Sequence, residues 1–162
     1  MILTETCNRL KLIMDAKSNT GKFSSKYIAD EYAELLAEIS EIDNRLKDFK
    51  VLLKKTVNYK ADYTLDGLKY IELLLMHLKP SFEEDKDLLL ESAYYVGETV
   101  KRTFKGSWSI SDDEENFPDG YGQPIITGYS AYGDFYPFIE MKNFIANQSI
   151  GYFKKIIDLR GN

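Results

Sequence analysis

The sequence predicts an α+β fold with a helical N-terminal half, a small antiparallel sheet and helices at the C-terminal end. Apolar residues recur at helical spacing through most of the chain up to Phe104. At Gly106 the composition changes to glycine, proline and aromatic residues, which is typical of strands and turns. Helical spacing returns after Pro137. Because helices and strands occupy separate runs, the order favours α+β over alternating α/β.

The strongest periodic signal predicts one long helix from about residue 25 to residue 55. Apolar residues there alternate at spacings of four and three, which is the a/d pattern of a coiled coil. Such a helix would be roughly 45 Å long at 1.5 Å per residue. Two interpretations stay open, because the seam could form a homodimer or could pack against neighbouring helices of its own chain. The seam consists of Ile28, Tyr32, Leu35, Ile39, Ile42, Leu46, Phe49 and Leu53.

Shorter helices are predicted on both sides of this segment. Apolar spacing indicates an amphipathic helix near residues 3–14. Another helix starts at Thr64 or Asp66 and ends at Lys79-Pro80, because proline removes a backbone donor. Further helices are expected over residues 84–104, from Pro137 onward with Phe138, Met141 and Ile145 facing inward, and over residues 150–159.

Two short strands are predicted at residues 107–111 and 123–129, joined by an acidic loop. Gly120-Tyr121-Gly122 lies between them and is interpreted as a turn. We expect residues 1–162 to form a single α+β domain, in which residues 1–55 are a helical N-terminal extension and residues 64–160 are the helix-plus-sheet core.

Cysteine use and hydropathy limit the possible locations. Cys7 is the only cysteine, so an internal disulfide is impossible and a cytoplasmic, reducing location is expected. The longest apolar stretch, residues 71–78, is interrupted by Glu72 and His77. It is much shorter than the ~20 residues that a membrane-spanning helix needs, so no membrane partner is expected.

Charge is distributed unevenly along the chain. The whole sequence carries −5, yet no lysine or arginine occurs between Gly106 and Met141, a segment with a charge of −7. The rest of the chain therefore carries +2, the difference between −5 and −7. An acidic chain does not favour nucleic-acid binding, which usually requires a basic field. The seven carboxylates are Asp112, Asp113, Glu114, Glu115, Asp119, Asp134 and Glu140.

The acidic segment has four interpretations: a solvated loop, a divalent-cation site, a catalytic carboxylate pair, and a surface for a basic protein partner. A contiguous run lacks the spaced ligands of a calcium loop, so no metal is expected. Aromatic residues between the carboxylates favour a partner surface, because such residues are frequent interface anchors. The candidate partner-binding residues are Asp112, Asp113, Glu114, Glu115, Phe117, Asp119 and Tyr121.

Motifs for catalysis or cofactor binding are not evident. His77 is the only histidine, and it lies near the end of an apolar helix pattern, where a structural role is expected. No glycine-rich phosphate loop is present, so no cofactor is expected. Cys7 lies on an apolar stripe and is expected to be a buried, inert thiol.

A second pattern combines Gly97 and Glu98 with Trp108 ten residues after the glutamate. Glycine inside a helix costs about 1 kcal/mol relative to alanine. We therefore expect close packing of the helix on the sheet at Gly97. Trp108 is expected to anchor the first strand, and Glu98 to bond locally to a backbone amide or to the indole. The structural-motif residues are Tyr95, Gly97, Glu98 and Trp108.

These residues also carry a resemblance that covers about residues 65–158. The pattern resembles small bacterial domains of a "Y-x-G-E, then G-x-W" type, which occur among uncharacterised and toxin-immunity-type proteins. The resemblance implies a helix-plus-sheet fold with no known reaction, and by analogy an acidic surface that masks a basic nuclease toxin. The residues that carry it are Tyr95, Gly97, Glu98, Gly106, Trp108, Pro124 and Pro137-Phe138.

The sequence as a whole favours a non-catalytic protein-binding module, of which an immunity-type protein is one form. Two alternatives stay open. One is a homodimeric assembly protein that uses the heptad seam. The other is a hydrolase that uses Glu98 or the acidic loop.

Overall fold

A computed structural model describes residues 25–130 and 133–161, and confirms the α+β class. The side chains described are those of residues 29–130 and 133–160. The predicted helix near residues 3–14, with Cys7, lies outside them. The helices are α1 (Ser25–Ser40), α2 (Ile42–Arg45), α3 (Lys47–Val57), α4 (Leu68–Leu78), α5 (Lys86–Phe104), α6 (Pro137–Asn147) and α7 (Tyr152–Gly161), and the strands are β1 (Ser107–Ile110) and β2 (Pro124–Thr127).

Several predicted boundaries were wrong by a few residues. The helix expected from Thr64 or Asp66 begins at Leu68, because Thr64 and Asp62 form a hydrogen-bonded turn before it. The helices expected to begin at residues 84 and 150 begin at Lys86 and Tyr152. Both strands are shorter than predicted. In the described part of the chain, no helix combines the length and the apolar character needed to cross a membrane.

The single long helix predicted for the heptad segment is interrupted twice. Glu41 has a ψ of 14° and Leu46 a ψ of 3°, whereas a regular α-helix has a ψ near −42°. These two residues separate α1, α2 and α3. The seam residues Leu35, Ile42, Leu46, Phe49 and Leu53 are buried and belong to one hydrophobic core with the rest of the chain.

The five buried seam side chains therefore pack within their own chain, as the second interpretation of the seam expects. Tyr32 is 40% exposed, and the side chain of Ile28 lies outside the described residues. To form a coiled-coil dimer through the whole seam, the five buried side chains would have to leave the core of their own chain.

Helix α5 lies at the centre of the fold. Every residue from Ser92 to Val100 is buried, which indicates a helix covered on all sides. Its neighbours are α3, α6 and β2. The hydroxyls of Ser92 and Thr99 donate to backbone carbonyls one turn earlier, Leu88 at 2.7 Å and Tyr95 at 2.8 Å, so burial leaves neither hydroxyl without a partner.

The sheet consists of β1 and β2, which pair antiparallel with Trp108 opposite Ile126 and Ile110 opposite Pro124. Phe135 extends the pairing through a bridge to Ile126, with hydrogen bonds of 2.8 and 3.0 Å. Buried side chains of this sheet face α5, as the contacts of Trp108 show below.

Gly97, Glu98 and Trp108 form one contact between α5 and β1. A Cβ atom at Gly97 would lie 2.3 Å from Cη2 of Trp108 and 2.7 Å from its Cζ2, so the ring occupies the place of a side chain. The indole Nε1 donates to Glu98 Oε2 at 3.0 Å. The indole is one of the two partners considered for Glu98 in the sequence. Arg102 and Lys101 donate to the other carboxylate oxygen at 2.8 and 3.1 Å.

A second buried carboxylate, Glu72 of α4, caps the N-terminal end of α7. Its Oε2 accepts the Gly151 N–H at 2.5 Å and its Oε1 accepts the Phe153 N–H at 2.8 Å. Glu72 has no exposed surface, and burial raises its pKa while the two amides oppose that rise. Free N–H groups at a helix start need acceptors, and here they come from a distant helix.

Gly97→Ala is expected to destabilise the fold. Alanine favours the helix by about 1 kcal/mol, but overpacking against a fixed ring costs about 1–3 kcal/mol. The contact of 2.3 Å makes overpacking the larger effect. We expect a net loss of roughly 1–2 kcal/mol, or a Tm lower by roughly 2–8 °C, measured by thermal unfolding.

A double-mutant cycle with Trp108→Phe tests the cause. The smaller ring leaves room for the Cβ, so Gly97→Ala in that background should be neutral or stabilising. Equal costs of Gly97→Ala in both backgrounds would show that Trp108 does not set the constraint.

Glu72→Ala is expected to lower the free energy of unfolding by at least about 2 kcal/mol, because it leaves two helix N–H groups without an acceptor. Amide hydrogen exchange at Gly151 and Phe153 should accelerate. Glu72→Gln should retain part of the stability, since its carbonyl oxygen can accept one N–H. The neighbouring Leu73→Ala, at a position 41% exposed, is the control. Unchanged exchange at both amides in Glu72→Ala would contradict the capping role.

Candidate functional site

The acidic loop runs from β1 to β2 and is tied at its base. The Ser111 N–H donates to the Gln123 carbonyl at 2.9 Å, and the Gly122 N–H donates to the Ser111 carbonyl at 2.8 Å, so the ladder continues one step past the strands. A short 3-10 helix at Pro118–Gly120 closes the far side. Gly122 has a φ of +75°, which agrees with the turn predicted there.

Aromatic rings support the loop from below. Phe117 and Tyr136 meet edge to face with centroids 4.8 Å apart. A Cβ at Gly120 would lie 2.4 Å from Phe117 Cδ1 and 2.5 Å from Tyr136 Cε1, so both rings pack directly on the 3-10 turn. The Tyr136 hydroxyl and Ser111 Oγ share a hydrogen bond of 3.1 Å. The loop is therefore held by its own Phe117 and by Tyr136, which follows β2.

Most of the predicted partner-binding residues reach solvent. Asp112, Glu114, Glu115 and Asp119 are exposed. Asp113 is half-buried, and its Oδ1 accepts two hydrogen bonds of 3.0 Å from Asn116. The remaining two predicted residues, Phe117 and Tyr121, are also half-buried. Carboxylates and partly exposed rings thus share one surface.

The structure adds Asp134 and Tyr136 to this surface. Asp134 is half-buried, and burial together with the charge of Asp112 raises its pKa. Burial also raises the pKa of Tyr136, the hydrogen bond to Ser111 opposes the rise, and the charges of Asp134, Asp113 and Asp112 add to it. We call the "acidic face" the set Asp112, Asp113, Glu114, Glu115, Asp119 and Asp134 with the rings Phe117, Tyr121 and Tyr136.

Neither Asp134 nor Tyr136 was among the predicted binding residues. Both follow the loop in sequence and come back to it only through the bridge between Phe135 and Ile126. The sequence feature that could have indicated both residues is the segment without lysine or arginine, because it extends to Met141 and includes them.

The six carboxylates of the acidic face have no ion pair with any described cation. The seventh carboxylate of the segment, Glu140, differs from them. It is buried and bonds to Arg160 Nη2 at 3.0 Å and to the Tyr152 hydroxyl at 2.7 Å, and so links α6 to α7. Within the described residues, the negative charge of the face is not neutralised by an ion pair.

The structural-motif residues lie in the core, apart from this face. Tyr95 is buried, and its hydroxyl accepts the Tyr63 N–H at 3.1 Å. The carboxylate of Glu98 is occupied by the indole, Arg102 and Lys101, as described above. Across the described residues, no group of three or more histidine, cysteine, aspartate or glutamate side chains is placed to hold a metal ion.

Asp112→Asn is expected to lower the pKa of Asp134. The substitution removes one of the two causes of the raised value and leaves burial, the larger one, so the pKa should stay above the ordinary range. NMR titration of the Asp134 carboxyl carbon measures the change. Glu115→Gln is the control, because Glu115 is not among the charges that act on Asp134. If the pKa of Asp134 is the same in Asp112→Asn and in Glu115→Gln, the charge of Asp112 does not act on Asp134.

Comparisons of the chain with protein-family models, with curated proteins and with solved structures found no match.

Proposed function

We propose that the protein is a non-catalytic binding module whose acidic face docks a basic protein. The observation that carries this proposal is the set of six carboxylates without an ion pair to any described cation, arranged around partly exposed rings. An immunity-type protein, which covers the basic surface of a nuclease toxin, is one concrete form of it.

Charge and ring contacts would contribute differently to such binding. Exposed charges at an interface mainly accelerate association and select against partners of like charge. A few side chains supply most of the binding energy of an interface, and tyrosine is frequent among them. Phe117 and Tyr121 are half-buried and stand among the carboxylates, so a cationic side chain with a long apolar stem can contact both kinds of group.

The order within the loop supports the proposal in a second way. Binding is weakened by the entropy lost when flexible groups become fixed. The backbone bonds at Ser111 and the packing of Tyr136 on Gly120 hold the face before any partner arrives. Half-buried Asp134 and exposed Asp112 also repel each other, and a cation placed near both would relieve that repulsion.

A homodimer through the heptad seam is less well supported, because five seam side chains are already buried in the core of their own chain. The geometry of Glu98 supports a structural role over hydrolysis, since the indole and two cations already occupy its carboxylate.

Titration of the isotope-labelled protein with a short arginine- and leucine-containing peptide tests the proposal. Amide shifts should concentrate at residues 112–121 and 134–136, and high salt should reverse them. The face variant Asp112→Asn, Asp113→Asn, Glu114→Gln and Glu115→Gln should lose most of the affinity and keep the wild-type Tm, since amides preserve the shape of the loop.

A charge-matched control removes four exposed carboxylates elsewhere through Asp48→Asn, Glu83→Gln, Glu84→Gln and Asp87→Asn. It should bind the peptide like wild type. Equal peptide affinity of the face variant and wild type, or shifts centred on the control positions, would overturn the proposal.

A further inference from the structure

Helix α3 carries a basic face on the side turned away from the core. Phe49 and Leu53 are buried, and on the opposite side Lys47, Lys54 and Lys55 are exposed at spacings of seven and eight. The exposed Asp48 lies one turn before Val51, so the three lysines outnumber a single carboxylate on this side. Val51 lies one turn from each of them and is 46% exposed. We call Lys47, Val51, Lys54 and Lys55 the "basic face".

The charges of this face are not compensated within the described part of the chain. None of its three lysines has an ion pair there. Lys54 donates to the neutral side chain of Asn58 at 2.7 Å, so its charge persists. The neighbouring Lys50 differs, because it turns aside to Asp43 at 3.1 Å and to the Tyr63 ring.

We propose that the basic face of one copy docks on the acidic face of a second copy, so that the protein associates head to tail with itself. This inference rests on the proposed function of the acidic face and names a partner for it. Val51 would meet the exposed parts of Phe117 and Tyr121, while the three lysines approach the carboxylates.

The net charge of −5 on each copy does not decide the outcome. At physiological ionic strength the screening length is about 8 Å, so charges far from the contact contribute little, and the facing patches dominate. Exposed ion pairs are individually weak. The association is therefore concentration-dependent and is reversed by salt.

The two faces lie on different parts of the fold. Helix α3 packs on α4 and α5, whereas the strands that carry the acidic loop pack on α1, α5 and α6. The faces share no residue, so the contact joins two different surfaces of two identical molecules. After such a contact, one copy still has a free acidic face and the other a free basic face, so further copies can add.

Two complementary variants test the inference in sedimentation experiments on the full chain. The first is the face variant described above, and the second is Lys47→Gln, Lys54→Gln and Lys55→Gln. Wild type should form oligomers at low salt that dissociate at high salt, and each variant alone should be monomeric. An equimolar mixture should form a one-to-one dimer and nothing larger, because each variant keeps only one of the two faces.

A matched control, Lys105→Gln, Lys142→Gln and Lys155→Gln, removes three exposed lysines elsewhere and should oligomerise like wild type. A monomeric wild type at high protein concentration and low salt overturns the inference. The inference is also overturned if the variant Lys47→Gln, Lys54→Gln and Lys55→Gln, which we call the α3 variant, forms the same oligomers as wild type.

Peptide titration separates this failure from failure of the proposed function. The α3 variant retains the acidic face and should bind the basic peptide as wild type does. A monomeric wild type whose peptide binding is intact refutes self-association alone, whereas a face variant with full peptide affinity refutes both.

Discussion

The contact between Gly97 and the Trp108 ring is the constraint on which the arrangement of helix and sheet depends. The ring fits against α5 only because residue 97 has no side chain, and Glu98 fixes its orientation through the indole N–H. The same carboxylate holds Arg102, whose guanidinium lies 3.9 Å from the centroid of the Tyr63 ring, and that ring stacks on Tyr95. One glycine thus sets the distance between α5 and the strand that begins the acidic loop.

Apolar spacing predicted most of the described helices, because it reflects which face of a helix is buried. The change to glycine, proline and aromatic residues at Gly106 predicted both strands, and the order of the two kinds of segment predicted the fold class. Apolar spacing could not predict the breaks at Glu41 and Leu46, since apolar residues continue at the same spacing through both positions. Contacts between distant residues also escaped prediction. Glu72 caps a helix some eighty residues away, and the bridge between Ile126 and Phe135, next to Asp134, follows from no local pattern.

The acidic loop shows how a segment of like charge can remain ordered. Its carboxylates repel one another, and no described cation pairs with them. The opposing contributions come from backbone bonds at Ser111 and from the edge-to-face packing of Phe117 and Tyr136. Among the described residues, these contacts and not ion pairs hold the loop.

Glu72 has a consequence for the C-terminal segment. A shortened chain that ended before Gly151 would remove both donors of a carboxylate that has no exposed surface in the intact fold, and with them the helix that packs on α4. The truncation would therefore destabilise helix α4, although α4 lies far from the truncated segment in sequence. The amides of Gly151 and Phe153 thus take the place of water around a carboxylate in the protein interior.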